Sequence, residues 1–366
     1  MTNWVDRVNA ANVIDRTAFD HDMYGVEVEV EYNATKDDIP RAVSEFWSCV
    51  HDGSLRSHGK SGDLAAEFRY TKPLNNYTSA LAVKMLCTAL TTTANTIYNS
   101  GRASTHVHVN VLNIPKIQVM NLITLSIIFD EFLVAQHHPF RSGNLFALRF
   151  VDAEWPIRYL THSLMHGTNL RNFSNGNYKY ASVNLTSIGK YGTIEYRSMD
   201  GEINHQRINQ WVYCLHNLKR LATKYKNPRE IVEKFHKMGA MPFIREHIPA
   251  YYALNLPTSK AIEMLTRGII LASDLAYSCD WVSVVDDPVV KKSQYDAYKQ
   301  AIAAQAQEQL QAAQMVHGSQ WSVLSAPSSS NSILINTIGS SGGWPNLTQA
   351  AEDFLDVEHM IQEDDD

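Results

Sequence analysis

The chain has 366 residues, 45% apolar and 19% charged, the make-up of a soluble globular protein with room for one large or two ordinary domains. Its formal charge of -6 is unevenly placed, because 8 of the 38 acids follow residue 316, where there is no Lys or Arg; the remaining 30 acids face 32 bases, and a body near +2 lacks the basic footprint of a nucleic-acid binder. No apolar run reads as a membrane span, the start MTNWVDRVNAANVIDR lacks the regions of a signal peptide, and Cys49, Cys87, Cys214 and Cys279 stand without CxxC spacing; a cytoplasmic protein with free buried thiols is expected.

The first predicted element is a strand over residues 24–32, GVEVEVEY with its flank, in which Glu27, Glu29 and Glu31 share one face and Val26, Val28 and Val30 the other. Same-face carboxylates there sit roughly 7 Å apart. Such a face is either solvated along a half-exposed strand or a seat for hard divalent cations such as Mg²⁺. Next comes DGS at Asp52, read as a tight turn or as a ligand and substrate contact held shortly before a Glu-bearing strand. That strand, residues 63–70, places Glu67 and Arg69 on one face and Ala66, Phe68 and Tyr70 on the other.

Helical spacing over residues 78–100 ends against Gly101, and a strand follows over 104–112. Pro115 opens a strongly apolar helix that reads as buried on most sides. Strands at 180–187 and 191–198 are separated by IGKYG as a predicted hairpin, and helices are predicted at 205–225, 228–238, 258–275 and 291–315. From His317 the composition turns to Ser, Gly and acid, which predicts a flexible tail; a short helix at 346–361 could dock onto a partner protein. The expected organisation is a catalytic domain over residues 1–285, a helix over 286–316 and a tail over 317–366.

The strands agree with one another. His106, His108 and Asn110 share a face opposite Val107, Val109 and Val111, and Glu195 and Arg197 share a face opposite Ile194 and Tyr196. Taken singly, HxH reads as a structural pair as readily as a ligand pair, and ExR as a surface ion pair. Gathered in one sheet, these carboxylates and an imidazole would repel and desolvate one another unless cations neutralised them.

In their order these motifs resemble the amidoligase family, within the carboxylate-amine ligase superfamily that includes glutamine synthetase and glutamate-cysteine ligase. The matching stretches are GVEVEVE, DGSL with AEFRYTKPL, THVHVN, KYASVNL and GTIEYRSMDGEIN, over residues 22–220. The resemblance implies an α+β fold: a curved antiparallel sheet with helices on its convex face, the glutamine synthetase-like catalytic fold, and ATP with Mg²⁺ or Mn²⁺ on the concave face. It implies metal ligands at Glu27, His106 and Glu195 near the transferred phosphoryl group, with Glu29 and Glu67 for an ion nearer the substrate. Arg197 would contact the transferred phosphate and act with Glu195 in catalysis; His108, Arg171, Lys179 and Asn184 would bind nucleotide; Asp52 and Arg69 would touch substrate. Two departures stand out: FRYTKPL replaces a shorter, more apolar run, and Lys179 stands where an arginine is common, which loses the bidentate fork.

The implied activity is ATP-dependent and ADP-forming. An acyl phosphate forms on a small-molecule, peptide or protein carboxylate and is attacked by an amine, while Arg197 stabilises charge during transfer, worth roughly 10³ or more in comparable sites. The base that deprotonates the amine is not identified. Similar proteins often assemble as homo-oligomers and occur in phages and mobile elements, which would make a host cytoplasm the setting. Two other readings are carried: a non-catalytic scaffold retaining the ligase fold, and a cupin-type metal oxidase using HxH and Glu on a barrel.

Overall fold

The computed structural model describes residues 23–35, 38–153, 156–158, 160–161, 180–250, 256–278 and 280–281. Seven strands form one antiparallel sheet: β1 (Tyr24–Asn33), β2 (Trp47–Val50), β3 (Asp63–Tyr70), β4 (Thr96–Tyr98), β5 (Ser104–Asn110), β6 (Val183–Asn184) and β7 (Thr193–Asp200). Their order is β2-β3-β1-β5-β7-β6, with β4 paired to β1 beside this path. The architecture is α+β, and the described sheet is open at β2 and β6, so the barrel a cupin would need is not formed by the described residues.

The alternation read from sequence sorts the two faces. Val26, Val28, Val107, Val109, Ile194 and Tyr196 are all buried on one side. Helices α2 (Asn76–Thr93), α3 (Lys116–Val134) and α5 (His205–Ala222) pack on that side, and the chain also forms α1 (Ile39–Ala42), α4 (Thr186–Tyr191), α6 (Pro228–Met238), α7 (Ala240–His247) and α8 (Thr258–Ala276). Trp47 Nε1 donates to Ala82 O of α2 at 2.9 Å, the Tyr196 hydroxyl meets Ser126 Oγ of α3 at 2.7 Å, and Trp211 of α5 packs edge-on against Tyr196. Buried hydroxyl and indole groups thus find partners where the faces meet.

The 19 residues of α3 are long and apolar enough to cross a membrane, contrary to the sequence expectation that no run would be, yet the helix is buried within the protein. Its polar residues explain how it sits there. Asn121 donates to Ala222 O and Tyr225 O, and Asp130 accepts from Ser182 Oγ and Phe150 N–H. Helix α8 crosses α3 at Gly268, where a Cβ would lie 2.3 Å from the Ile128 carbonyl oxygen, so only glycine allows the approach. Beside that crossing Glu131 receives both Nε and NH2 of Arg267, at 2.8 and 2.7 Å.

Several sequence expectations are corrected. The helix predicted to residue 100 ends at Thr93, and Thr96–Tyr98 become a strand. Strand β1 pairs with β5 only over Tyr24–Val28, which leaves its far half with an open edge, and the β-branched segment after α2 fills it over Glu31–Asn33. The predicted hairpin keeps its antiparallel pairing, Asn184 opposite Glu195, but its first strand has only two residues. Asn184 Oδ1 accepts from both the N–H and the hydroxyl of Thr186, which turns the chain into α4. Gly192 then ends α4 at φ +70°, where a Cβ would collide with the Leu112 side chain. Strands β2 and β4 and helix α7 had no sequence forecast, and Cys49 is exposed on β2 rather than buried. The helix expected at 291–315, the tail with its 346–361 helix, Cys279, Arg171 and Lys179 lie outside the described residues.

Candidate active site

Register decides which charged groups meet. Glu27 stands opposite Arg69 on one side and His106 on the other, Glu29 opposite Glu67, and His108 opposite Glu195. A bulge in β7 sets Arg197 and Ser198 opposite the single residue His106, so Arg197 comes in beside that imidazole. One ligand atom from each of Glu27, His106 and Glu195 lies within 4.8 Å of the other two. His106 Nδ1 is 3.2 Å from Glu27 Oε2 and 3.6 Å from Glu195 Oε1.

The groups around this cluster hold it in place. Arg197 NH1 donates to Glu195 Oε1 at 2.5 Å, and its Nε donates to Phe146 O at 3.3 Å. Asn184 Nδ2 and Ser187 Oγ both donate to Glu195 Oε2, at 2.7 and 2.8 Å. His108 Nδ1 meets Thr193 Oγ1 at 2.9 Å while Nε2 faces Glu27 Oε1 at 3.4 Å. Arg141, fully buried after α3, donates to the carbonyls of Arg197 and Ser198 and so fixes the course of β7 beside the cluster.

Burial and charge pull the carboxyls apart. Burial would raise Glu195, but Arg197, His108 and His106 outweigh it and hold the carboxyl down at about 2. Burial likewise opposes ionisation of Glu27, and His108 and His106 overcome it, so Glu27 lies well below the usual carboxylate range. Glu67 goes the other way. Burial, Glu27 and Glu29 together push it up to about 7. Asp52 would also be raised by burial, but the Ser54 backbone and hydroxyl hold it below its ordinary value.

Two cavities flank the cluster and share Glu27 as a wall. The larger, about 550 Å³, is lined by Glu29, Asp52, Glu67, His106, Phe146, Tyr180 and Arg197 as well. The smaller, about 290 Å³, carries Tyr24, Tyr70, Tyr191, His108, Arg69 and Lys72.

A family model described as "Putative amidoligase enzyme" matches residues 14–218, more than half of the chain. The chain belongs to this amidoligase family. No curated protein matches it. Membership points to a ligase-type function.

Against the sequence expectations, the amidoligase-family strands bring Glu27, His106, Glu195, Arg197, Glu29 and Glu67 onto one face as forecast. Asn184, expected at the nucleotide, donates to Glu195. Asp52 and Arg69, expected together at the substrate, line different cavities. Glu31, third in the glutamate series, is buried and accepts Arg56 N–H and His58 Nε2, both at 2.8 Å, so it anchors the loop that follows Asp52. Ser104, Ser187, Thr193, Phe146 and Tyr180 were not singled out from sequence.

Proposed function

We propose that this chain is an ATP-dependent, ADP-forming carboxylate-amine ligase that joins its substrates in an amide or isopeptide bond through an acyl phosphate, on a glutamine synthetase-like sheet. The observation that carries this reading is the convergence of Glu27, His106 and Glu195 beside Arg197, with a cavity on either side of Glu27. Two carboxylates held ionised and one imidazole form a donor set suited to Mg²⁺ and, through the nitrogen, to Mn²⁺. Bound there, the cation would supply charge neutralisation between phosphate oxygens and an approaching carboxylate. Glu67 and the second oxygen of Glu29 are left for a further ion on the acceptor side.

The protein's own groups do the rest. The smaller cavity offers tyrosine rings to a nucleobase and Arg69 and Lys72 to its phosphates, with His108 between it and the cluster. Glu27 borders both cavities, so the terminal phosphate delivered from the smaller one meets an acceptor carboxylate in the larger. Arg197 is held by Glu195 and Phe146 O at the edge of the larger cavity, in position to stabilise charge on the phosphoryl oxygens during transfer. The amine then attacks the acyl carbon and phosphate leaves. Asp52, held ionised by Ser54, attracts the ammonium to that cavity.

The test is ADP release across amino acids and peptides with Mg²⁺ or Mn²⁺, with Glu195→Ala as control. ADP formation that needs both a carboxylate and an amine and vanishes in the variant is expected. Failure to bind Mg-ATP in calorimetry would favour a scaffold, and stoichiometric iron with indifference to ATP would favour an oxidase.

A further inference from the structure

Glu29 and Ser104 were brought together by the sheet, and between them they control the orientation of His106. Ser104 N–H donates to Glu29 Oε2 at 2.9 Å, and Ser104 Oγ lies 2.5 Å from the same oxygen. The hydroxyl donates to the same carboxylate oxygen that accepts the backbone N–H. A serine hydroxyl has one proton, so Oγ, having given it to Glu29, can only accept at its other contact. That contact is His106 Nε2 at 2.7 Å, which must therefore carry its hydrogen. In the neutral ring, the form a metal binds, the proton on Nε2 leaves Nδ1 with a bare lone pair, and Nδ1 is the nitrogen that faces Glu27, Glu195 and the Arg197 guanidinium, whose NH1 lies 3.4 Å away as a donor.

We infer that Ser104 is a positioning residue that relays the Glu29 carboxylate to His106 and holds the imidazole with its Nδ1 lone pair facing Glu27 and Glu195. The inference deepens the proposed function, since a lone pair so directed is what a metal-binding imidazole requires, and partners of this kind fix tautomer and ring angle. It also divides the strand's glutamates by role: Glu27 belongs to the cluster, and one oxygen of Glu29 is committed to supporting it. All three groups are buried, Glu29 at 4%, Ser104 at 1% and His106 at 2% exposure, so water does not compete for these bonds.

Histidine ¹⁵N NMR on the metal-free full chain tests the relay apart from any activity. His106 is expected to be protonated at Nε2 in the unaltered protein and to lose that preference in Ser104→Ala, with Ser104→Thr restoring it. Glu29→Gln serves as a second variant: its amide can donate to Ser104, which frees the hydroxyl proton for Nε2 and shifts the ring toward the other tautomer. Mn²⁺ affinity, read by paramagnetic resonance, should fall roughly 10- to 100-fold in Ser104→Ala and recover in Ser104→Thr. An Nδ1-protonated ring in the unaltered protein, or the same tautomer and Mn²⁺ affinity in Ser104→Ala, would overturn the inference. Loss of the Nε2 proton in Ser104→Ala from a protein that binds no Mn²⁺ would support the relay while removing the metal from the proposed function.

Discussion

Glu67 offers a direct measure of whether cations sit on the carboxylate face. Burial and the neighbouring Glu27 and Glu29 push its carboxyl up to about 7 from an ordinary 4.5. With metal absent, the folded chain therefore holds a proton between those values that the unfolded chain has already lost. The stability tied to that proton is complete below 4.5 and disappears as pH rises through about 7. At about pH 6.5 such a group is roughly three-quarters protonated, by the ordinary titration relation. A divalent cation among the glutamates cancels the repulsion that raises Glu67, returns it toward its ordinary value and expels that proton. Calorimetric titration with Mn²⁺ at about pH 6.5, in two buffers of different ionisation enthalpy, should therefore read release of close to three-quarters of a proton per protein, falling to almost none near pH 8.5. Glu67→Gln should abolish this component. Mn²⁺ binding without proton release, or with equal release in Glu67→Gln, would refute the assignment of cations to this face.

Arg197→Lys should still bind ATP, yet transfer phosphate roughly 10³-fold more slowly in rapid-quench single turnovers, because an ammonium cannot bond Glu195 and Phe146 O together and still face the phosphate; an unchanged rate would remove Arg197 from the chemistry. Gly268→Ala should lower stability in urea unfolding by about 1–3 kcal/mol, since its Cβ meets backbone that cannot swing aside. His247 is buried, its Nδ1–H donating to Phe243 O and its Nε2 accepting from the Tyr225 hydroxyl, and burial depresses it from 6.5 to about 4. The sign is opposite to that of Glu67: its contribution is complete above 6.5 and is lost as pH falls through about 4, at most about 3 kcal/mol. His247→Gln should flatten the acid limb of a thermal-stability profile, and an identical limb would show that other groups set it.

How much of the site was legible follows from what alternation can encode. Period two on β1, β3, β5 and β7 separates valine from glutamate and histidine from valine without reference to any partner, so Glu27, His106, Glu195 and Arg197 could be assigned to one face. It cannot separate Glu27, Glu29 and Glu31, which look alike in the chain. Their neighbours differ: His106 stands across from Glu27, Ser104 lies beside Glu29, and the loop carrying Arg56 and His58 passes over Glu31. Ser104 and Ser187 were invisible for a related reason, because a single serine has no periodicity and its worth depends on a carboxylate distant in sequence.

The helix layer divides in the same way. Helix α6 was bounded correctly because its signals are local: Asn227 caps it, Pro228 opens it and Gly239 closes it. Helix α2 was overrun because its end is settled by competition for the vacant edge of β1, which no window of the chain reveals. Taken alone, the order of residues determined which side chains share a face, where capped helices begin, and the family to which the chain belongs. Only the tertiary structure decided which carboxylates meet a histidine, which are tied to a hydroxyl or a loop, and which cavity each borders. Strand register, one bulge and the packing of distant loops set those distances, and the free energy of an ionised group depends on them far more steeply than on its position in the chain.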